Sequence, residues 1–203
     1  LKNLKTYEEW SIDAVPGTDW SFLPEVVGSS LRPNFASELP PTGRLTVEAD
    51  EIDLVIKANR SKTPEDVEFA RKADKPHRLF SELLSNENPD KSWIKSLWKH
   101  ERNKSITKEL KSRIGRPRPY WLDGRVRPIP GLESSDYSFP SGHSAGAYYM
   151  ASILADRYPN RKEELFSLAD RIAQSRVIAG VHYPSDIEAG KRVGLAYVEL
   201  DKF

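Results

Sequence analysis

The chain has 203 residues, with 31 Lys or Arg against 30 Asp or Glu and a formal net charge of +1. That balance excludes bulk electrostatic attraction to nucleic acid, and the absence of cysteine excludes disulfides, thiol catalysis and Cys-based metal sites. At 38% hydrophobic and 30% charged, with no apolar run long enough to cross a bilayer, the composition is that of a soluble globular chain with enough length for a real core.

Residues 1–45 are rich in proline and poor in periodicity. Trp10, Trp20, Phe22 and Phe35 sit among Pro16, Pro24, Pro33, Pro40 and Pro41, which predicts an irregular arm anchored on the body by its aromatics. From Leu45 the pattern turns helical: Val47, Ile52, Val55 and Ile56 line one side of a helix ending near Asn59. Thr63-Pro64-Glu65-Asp66 is a helix start, combining a cap, Pro at the first position and acids in the first turn. A further helix is expected over His77 to Leu84. Asn88-Pro89-Asp90 opens the next, with Trp93, Leu97 and Trp98 as its apolar positions. It continues, with a break near Asn103, through Ile106 and Leu110 to about Ile114, where Gly115, Pro117 and Pro119 stop it.

Residues 115–140 then predict a long loop, of the kind that in compact domains is functional or disordered. Three helices follow, over about Ser141 to Tyr158, Arg161 to Ile178 and Pro184 to Leu200, the second ended by Gly180. No strand alternation or internal repeat is visible. The expected fold class is all-α, a helical bundle forming one domain over 1–203.

Chemistry concentrates in the C-terminal half, in Lys111-x6-Arg118-Pro119, Pro140-Ser141-Gly142-His143 and Ser175-Arg176-x5-His182-x3-Asp186. These segments hold three fixed cations, two imidazoles, a carboxylate, a hydroxyl and a glycine amide, an inventory suited to a tetrahedral oxyanion such as phosphate. Helical steps place His143 with Gly146, Ala147 and Met150, Arg176 with Leu168 and Ile172, and Asp186 with Ala189, Gly190, Val193 and Tyr197. All three ionisable residues are therefore predicted to face the interior. Each alone has a plainer explanation: a hydrogen-bonded core histidine, a buried Arg176–Asp186 ion pair, or an ordinary helix start at Ser141-Gly142. Nine Lys or Arg between Arg102 and Arg127, against Glu109 and Asp123 only, form either a solvated face or one wall of an anion site. The four histidines, His77, His100, His143 and His182, form no i,i+4 pair with one another, and three cations would repel a divalent metal, so no metal is expected.

The three segments resemble the signature motifs of the type 2 phosphatidic acid phosphatase (PAP2) superfamily, matched at every defining position over about residues 105–200. That superfamily includes soluble bacterial class A non-specific acid phosphatases, membrane lipid phosphatases and vanadium haloperoxidases. Leu39-Pro40-Pro41 and Arg60 to Val67 look more loosely like the entry and first helices of the soluble bacterial members, and Ser175 to Val193 is especially similar to class A enzymes. Ser144 stands where that class usually has Thr, Ser138-Phe139 where Gly-Ser-Tyr is usual, and its common cysteines are absent; subfamily and substrate stay open.

The resemblance implies a metal-independent phosphoric monoester hydrolase of broad specificity acting on small phosphorylated substrates, with vanadate as an inhibitor. His182 would be the nucleophile, Asp186 its orienting carboxylate and His143 the acid and then base. Lys111, Arg118, Arg176, the Ser141 hydroxyl and the Gly142 amide would bind the phosphoryl oxygens. A periplasmic or secreted location is implied, with the signal peptide outside this sequence, and soluble relatives are often homo-oligomers. Three alternatives share the residues: a haloperoxidase with vanadate on His182, a lipid phosphate phosphatase at a membrane surface, and a non-catalytic oxyanion binder.

Overall fold

Helix boundaries follow local capping chemistry. The computed structural model describes residues 49–201, in which α1 (Ala49–Arg60) leads into α2 (Pro64–Lys72). The arm aromatics Trp10, Trp20, Phe22 and Phe35, with Val47, lie outside the described residues. At the predicted start of α2 the Asp66 N–H donates to the Thr63 hydroxyl at 3.2 Å, and the Thr63 N–H donates to the Asp66 carboxylate at 2.9 Å. This reciprocal cap satisfies two otherwise orphaned donors. Next come α3 (Pro76–Leu83) and α4 (Lys91–Trp98), the latter capped by Asp90, which accepts from the Ser92 and Trp93 N–H groups.

The break expected near Asn103 falls earlier. The Lys99 N–H donates back to the Lys95 and Ser96 carbonyls and the His100 N–H to Leu97, so α4 closes there. A separate α5 (Glu101–Ile114) then runs to Gly115, whose φ of +60° is the left-handed cap that ends it. The long loop contains one unexpected helical turn, α6 (Pro119–Leu122), started by Pro119 with its preset φ. The loop is pinned rather than loose. Val126, Ile129 and Phe139 are buried, and the Ile129 N–H donates to the Ala179 carbonyl at 3.1 Å.

Helices α7 (Gly142–Arg157), α8 (Lys162–Ile178) and α9 (Pro184–Asp201) match the expected three. α7 is the central helix: Ala145, Ala147, Met150, Ala151 and Leu154 are fully buried, and both α8 and α9 pack against it. The α7–α9 contact is backbone to backbone. A Cβ on Gly194 would lie 2.2 Å from the Ala145 carbonyl oxygen, and one on Gly190 2.4 Å from the Ser141 carbonyl oxygen. This approach brings the N-termini of α7 and α9 together, and the Ser141 N–H donates to the Asp186 carbonyl at 2.9 Å. Val55, Phe80, Leu84, Ile94 and Leu110 extend the same core across α1 and α3–α5. The described residues are helical or irregular, with no strand, and none of their helices is long and apolar enough to cross a membrane.

Candidate active site

The His182 ring lies just before α9 and is held at both nitrogens. Nδ1 is 3.1 Å from Asp186 Oδ2, and Nε2 is 3.3 Å from Arg118 Nη1. A guanidinium can only donate, so Nε2 must accept; the proton then sits on Nδ1 and points at Asp186. The network thus assigns a tautomer with an in-plane lone pair at Nε2, on the side facing a cation. Burial pushes the ring down to about 3; the Asp186 hydrogen bond opposes the shift and Arg118 adds to it, so the imidazole is neutral.

Asp186 is fully buried and anchored from several directions. Arg116 Nη1 donates to its Oδ1 at 2.8 Å and the Tyr183 N–H to its Oδ2 at 2.9 Å. Burial alone would raise its pKa, but Arg116, His182 and the Tyr183 N–H outweigh this and hold it well below the usual carboxylate range. Arg116 also pairs through Nη2 with Glu51 of α1 and donates to the Ser185 hydroxyl at 2.6 Å, and its guanidinium lies 4.1 Å from the Tyr183 ring centroid. Glu51 accepts in turn from the Ser185 N–H at 2.6 Å. Behind the imidazole, therefore, sits a buried Glu51–Arg116–Asp186 network.

Lys111, Arg118 and Arg176 are buried as well. Lys111 Nζ donates to the Tyr137 carbonyl and lies 3.4 Å from that of Ser138; Arg118 donates from Nη1 to the Val181 carbonyl and from Nε to that of Asp136, each at 2.8 Å. Arg176 Nη2 donates to the Ala70 carbonyl at 2.7 Å, while its Nε is buried with no hydrogen-bond partner among the described residues. Burial, reinforced by Arg118, pushes Lys111 down to about 8 against the pull of Asp136 and Asp186. Burial likewise lowers Arg176 to about 10, with Asp74 opposing and Arg118 adding to the shift. Cations dehydrated this far are relieved by an arriving anion.

His143 sits in the first turn of α7 with its side chain 26% exposed, at the rim rather than in the interior where helical stepping placed it. Its Nε2 is 3.5 Å from Asp74 Oδ1 and 3.4 Å from the Asp74 carbonyl oxygen, and its ring lies 5.3 Å from that of Trp98. Asp74 Oδ1 also lies 4.0 Å from Arg176 Nη1, so this carboxylate links the two motif residues. The Ser141 hydroxyl caps α7 by accepting from the Ser144 N–H at 3.3 Å, which leaves its own proton to donate elsewhere. A Cβ on Gly142 would meet nothing closer than the Thr107 hydroxyl at 4.0 Å, so protein packing does not require glycine there.

Arg176 and Asp186 do not form the ion pair that the plainer explanation required; each has other partners. The basic stretch divides: Lys111, Arg116 and Arg118 are buried at the site, while Arg113 and Arg125 pair with Glu109 and Asp123 outside it. Sequence reasoning missed Arg116, Glu51, Asp74 and Asp136. For Arg116 a signal existed, since a residue between Gly115 and Pro117 cannot belong to a solvated helix face.

Residues 103–199 match the PAP2 superfamily. This part of the chain is a PAP2 domain. It is 37% identical over 91 residues to the non-specific acid phosphatase of Salmonella typhi, covering 43% of this chain and 36% of the relative. Against the lipid A 1-phosphatase of Rhizobium johnstonii it is 38% identical over 91 residues, covering 42% and 36%. The match thus spans about a third of the length of these curated relatives. Among solved structures, Aquifex aeolicus LpxE superposes with a TM-score of 0.62 at 27% identity, covering 79% of this chain and all of the other. The transmembrane phosphatidylglycerolphosphate phosphatase of Bacillus subtilis shares the fold, with a TM-score of 0.57 at 20% identity over 90% of this chain and 91% of the other. All three motifs lie inside the PAP2 domain, whereas Glu51 and Asp74 are supplied from outside it.

Proposed function

We propose that this chain hydrolyses phosphate monoesters through a phosphohistidine on His182. The observation that carries the proposal is the doubly held imidazole: Asp186 accepts a hydrogen bond from its Nδ1–H, and its Nε2 lone pair faces the Lys111–Arg118 wall. In the first step Nε2 attacks phosphorus, the bond to the leaving oxygen breaks, and His143 gives that oxygen a proton. The His182 ring becomes cationic, and Asp186 stabilises it. In the second step His143 takes a proton from water, the oxygen attacks phosphorus, the P–N bond breaks and neutral His182 returns. Lys111, Arg118 and Arg176 balance the non-bridging oxygens, aided by the Ser141 hydroxyl and the Gly142 N–H at the start of α7. Charge neutralisation thus falls to side chains, and no metal is assigned a role. Losing one such donor raises a barrier by about 3 kcal/mol.

His182→Ala should release no phosphate from p-nitrophenyl phosphate, and rapid-quench labelling of the wild type should trap phosphate on His182. Vanadate should inhibit competitively. Full turnover in the variant would exclude the assigned nucleophile. The natural substrate divides two ways. The acid phosphatase relatives support small soluble esters of broad range, handled outside the cytoplasm. An exposed apolar rim of Trp121, Leu122 and Tyr137 beside Arg118, together with the lipid A 1-phosphatase relatives, supports a substrate with an apolar tail. A panel of nucleotides, sugar phosphates and lipid phosphates separates the two.

A further inference from the structure

Two of the cations assigned to phosphate already hold an anion. The Asp136 carboxylate pairs through Oδ1 with Arg118 Nη2 and through Oδ2 with Lys111 Nζ at 3.5 Å. Its two oxygens thus span two cations as two non-bridging oxygens of a phosphoryl group would. The Asp136 side chain is 53% exposed, whereas those of Lys111 and Arg118 are 10% and 4% exposed. The carboxylate therefore approaches the buried cations from the solvent side, where a substrate arrives.

The local charges also balance. Lys111, Arg116, Arg118 and Arg176 are matched by Glu51, Asp74, Asp136 and Asp186, so a phosphate dianion meets little net positive charge unless a carboxylate withdraws. Glu51 and Asp186 cannot leave, being buried and held by Arg116, Ser185 and the Tyr183 N–H. Asp74 contacts Arg176 only at 4.0 Å and faces His143. Asp136 alone among the four is both exposed and directly seated on two motif cations.

We propose that Asp136 is an internal competitor for the phosphate site, displaced when the phosphoryl group binds Lys111 and Arg118 and returning to expel product phosphate. This rests on the oxyanion site described above. A simple positioning role fits less well, because backbone carbonyls already orient both cations: Asp136 and Val181 for Arg118, Tyr137 and Ser138 for Lys111. Competition persists across the working pH range. Partial burial acts against ionisation, but the Ser134 hydroxyl and the two cations hold Asp136 down to about 2.

The test is calorimetric titration of inorganic phosphate into the full chain, with phosphate inhibition of p-nitrophenyl phosphate hydrolysis measured in parallel. Asp136→Asn keeps size and removes charge; both phosphate constants should fall about tenfold, given the strength of a unit charge at this range. Asp136→Glu should restore weak binding. Ser134→Ala, which frees the carboxylate of one hydrogen bond, should tighten phosphate to a smaller extent. Unchanged or weaker phosphate affinity in Asp136→Asn, or in Ser134→Ala should the first variant not fold, overturns the competitor while leaving a turning-over wild type as a phosphatase. A wild type that neither binds phosphate nor hydrolyses any ester removes the oxyanion site and the competitor together.

Discussion

At His143 burial and two neighbours decide when a proton is available. Burial lowers the ring below its ordinary value, the Asp74 hydrogen bond raises it, and Arg176 lowers it again. A general acid works only while protonated, so the proposed first step slows as pH rises through this pKa, which places the alkaline limb on the acid side of an ordinary imidazole. Asp74→Asn removes the influence that raises the ring. The alkaline limb of log kcat/KM against pH should then move to lower pH, with activity at neutral pH falling. A limb that stays in place or moves upward means that Asp74 does not tune the acid. His143, His182 and Asp186 were visible from motif spacing because they lie within their own segments. Asp74 was not, because nothing around Asp74-Lys75-Pro76 marks it, and its role exists only where the end of α2 meets the start of α7.

Among the elements, the α7–α9 crossing sets the site's dimensions. Gly190 and Gly194 let the two helices approach until backbone meets backbone, which brings Ser141 to the Asp186 carbonyl. Neither glycine is needed for chain conformation; each is needed for clearance. In Gly194→Ala the new methyl would sit 2.2 Å from the Ala145 carbonyl oxygen, which cannot move without moving α7. Overpacking of this kind costs about 1–3 kcal/mol. Helix propensity favours Ala over Gly by about 1 kcal/mol, so that opposing gain offsets part of the loss. The variant should show a lower urea midpoint and reduced kcat, and a midpoint at or above wild type would show that the helices have room to part. The apolar stepping from Asp186 identified the correct buried face of α9, but a hydrophobic period cannot say how near the facing helix comes.

Across the whole molecule, the Glu51–Arg116–Asp186 network ties α1, the long loop and α9 into one body. Its members are separated by 65 and 70 residues along the chain and are nearly devoid of solvent contact. Arg116→Leu would leave two buried carboxylates without their cation, a loss of about 3–5 kcal/mol. Denaturant unfolding should show that drop together with a large fall in turnover, since Asp186 would lose its main anchor; stability within about 0.5 kcal/mol of wild type, the range of an ordinary surface change, would remove the network's structural role. By itself the sequence determined the all-helical class, most helix ends and the motif residues, because caps, prolines and apolar periods act within a few residues. Tertiary structure alone decided the pairing: Arg116 on Asp186, Arg176 on Ala70 and Asp74, Asp136 on Lys111 and Arg118. Charge pairing depends on which groups are dehydrated together, and only the packed helices bring such distant residues out of water side by side.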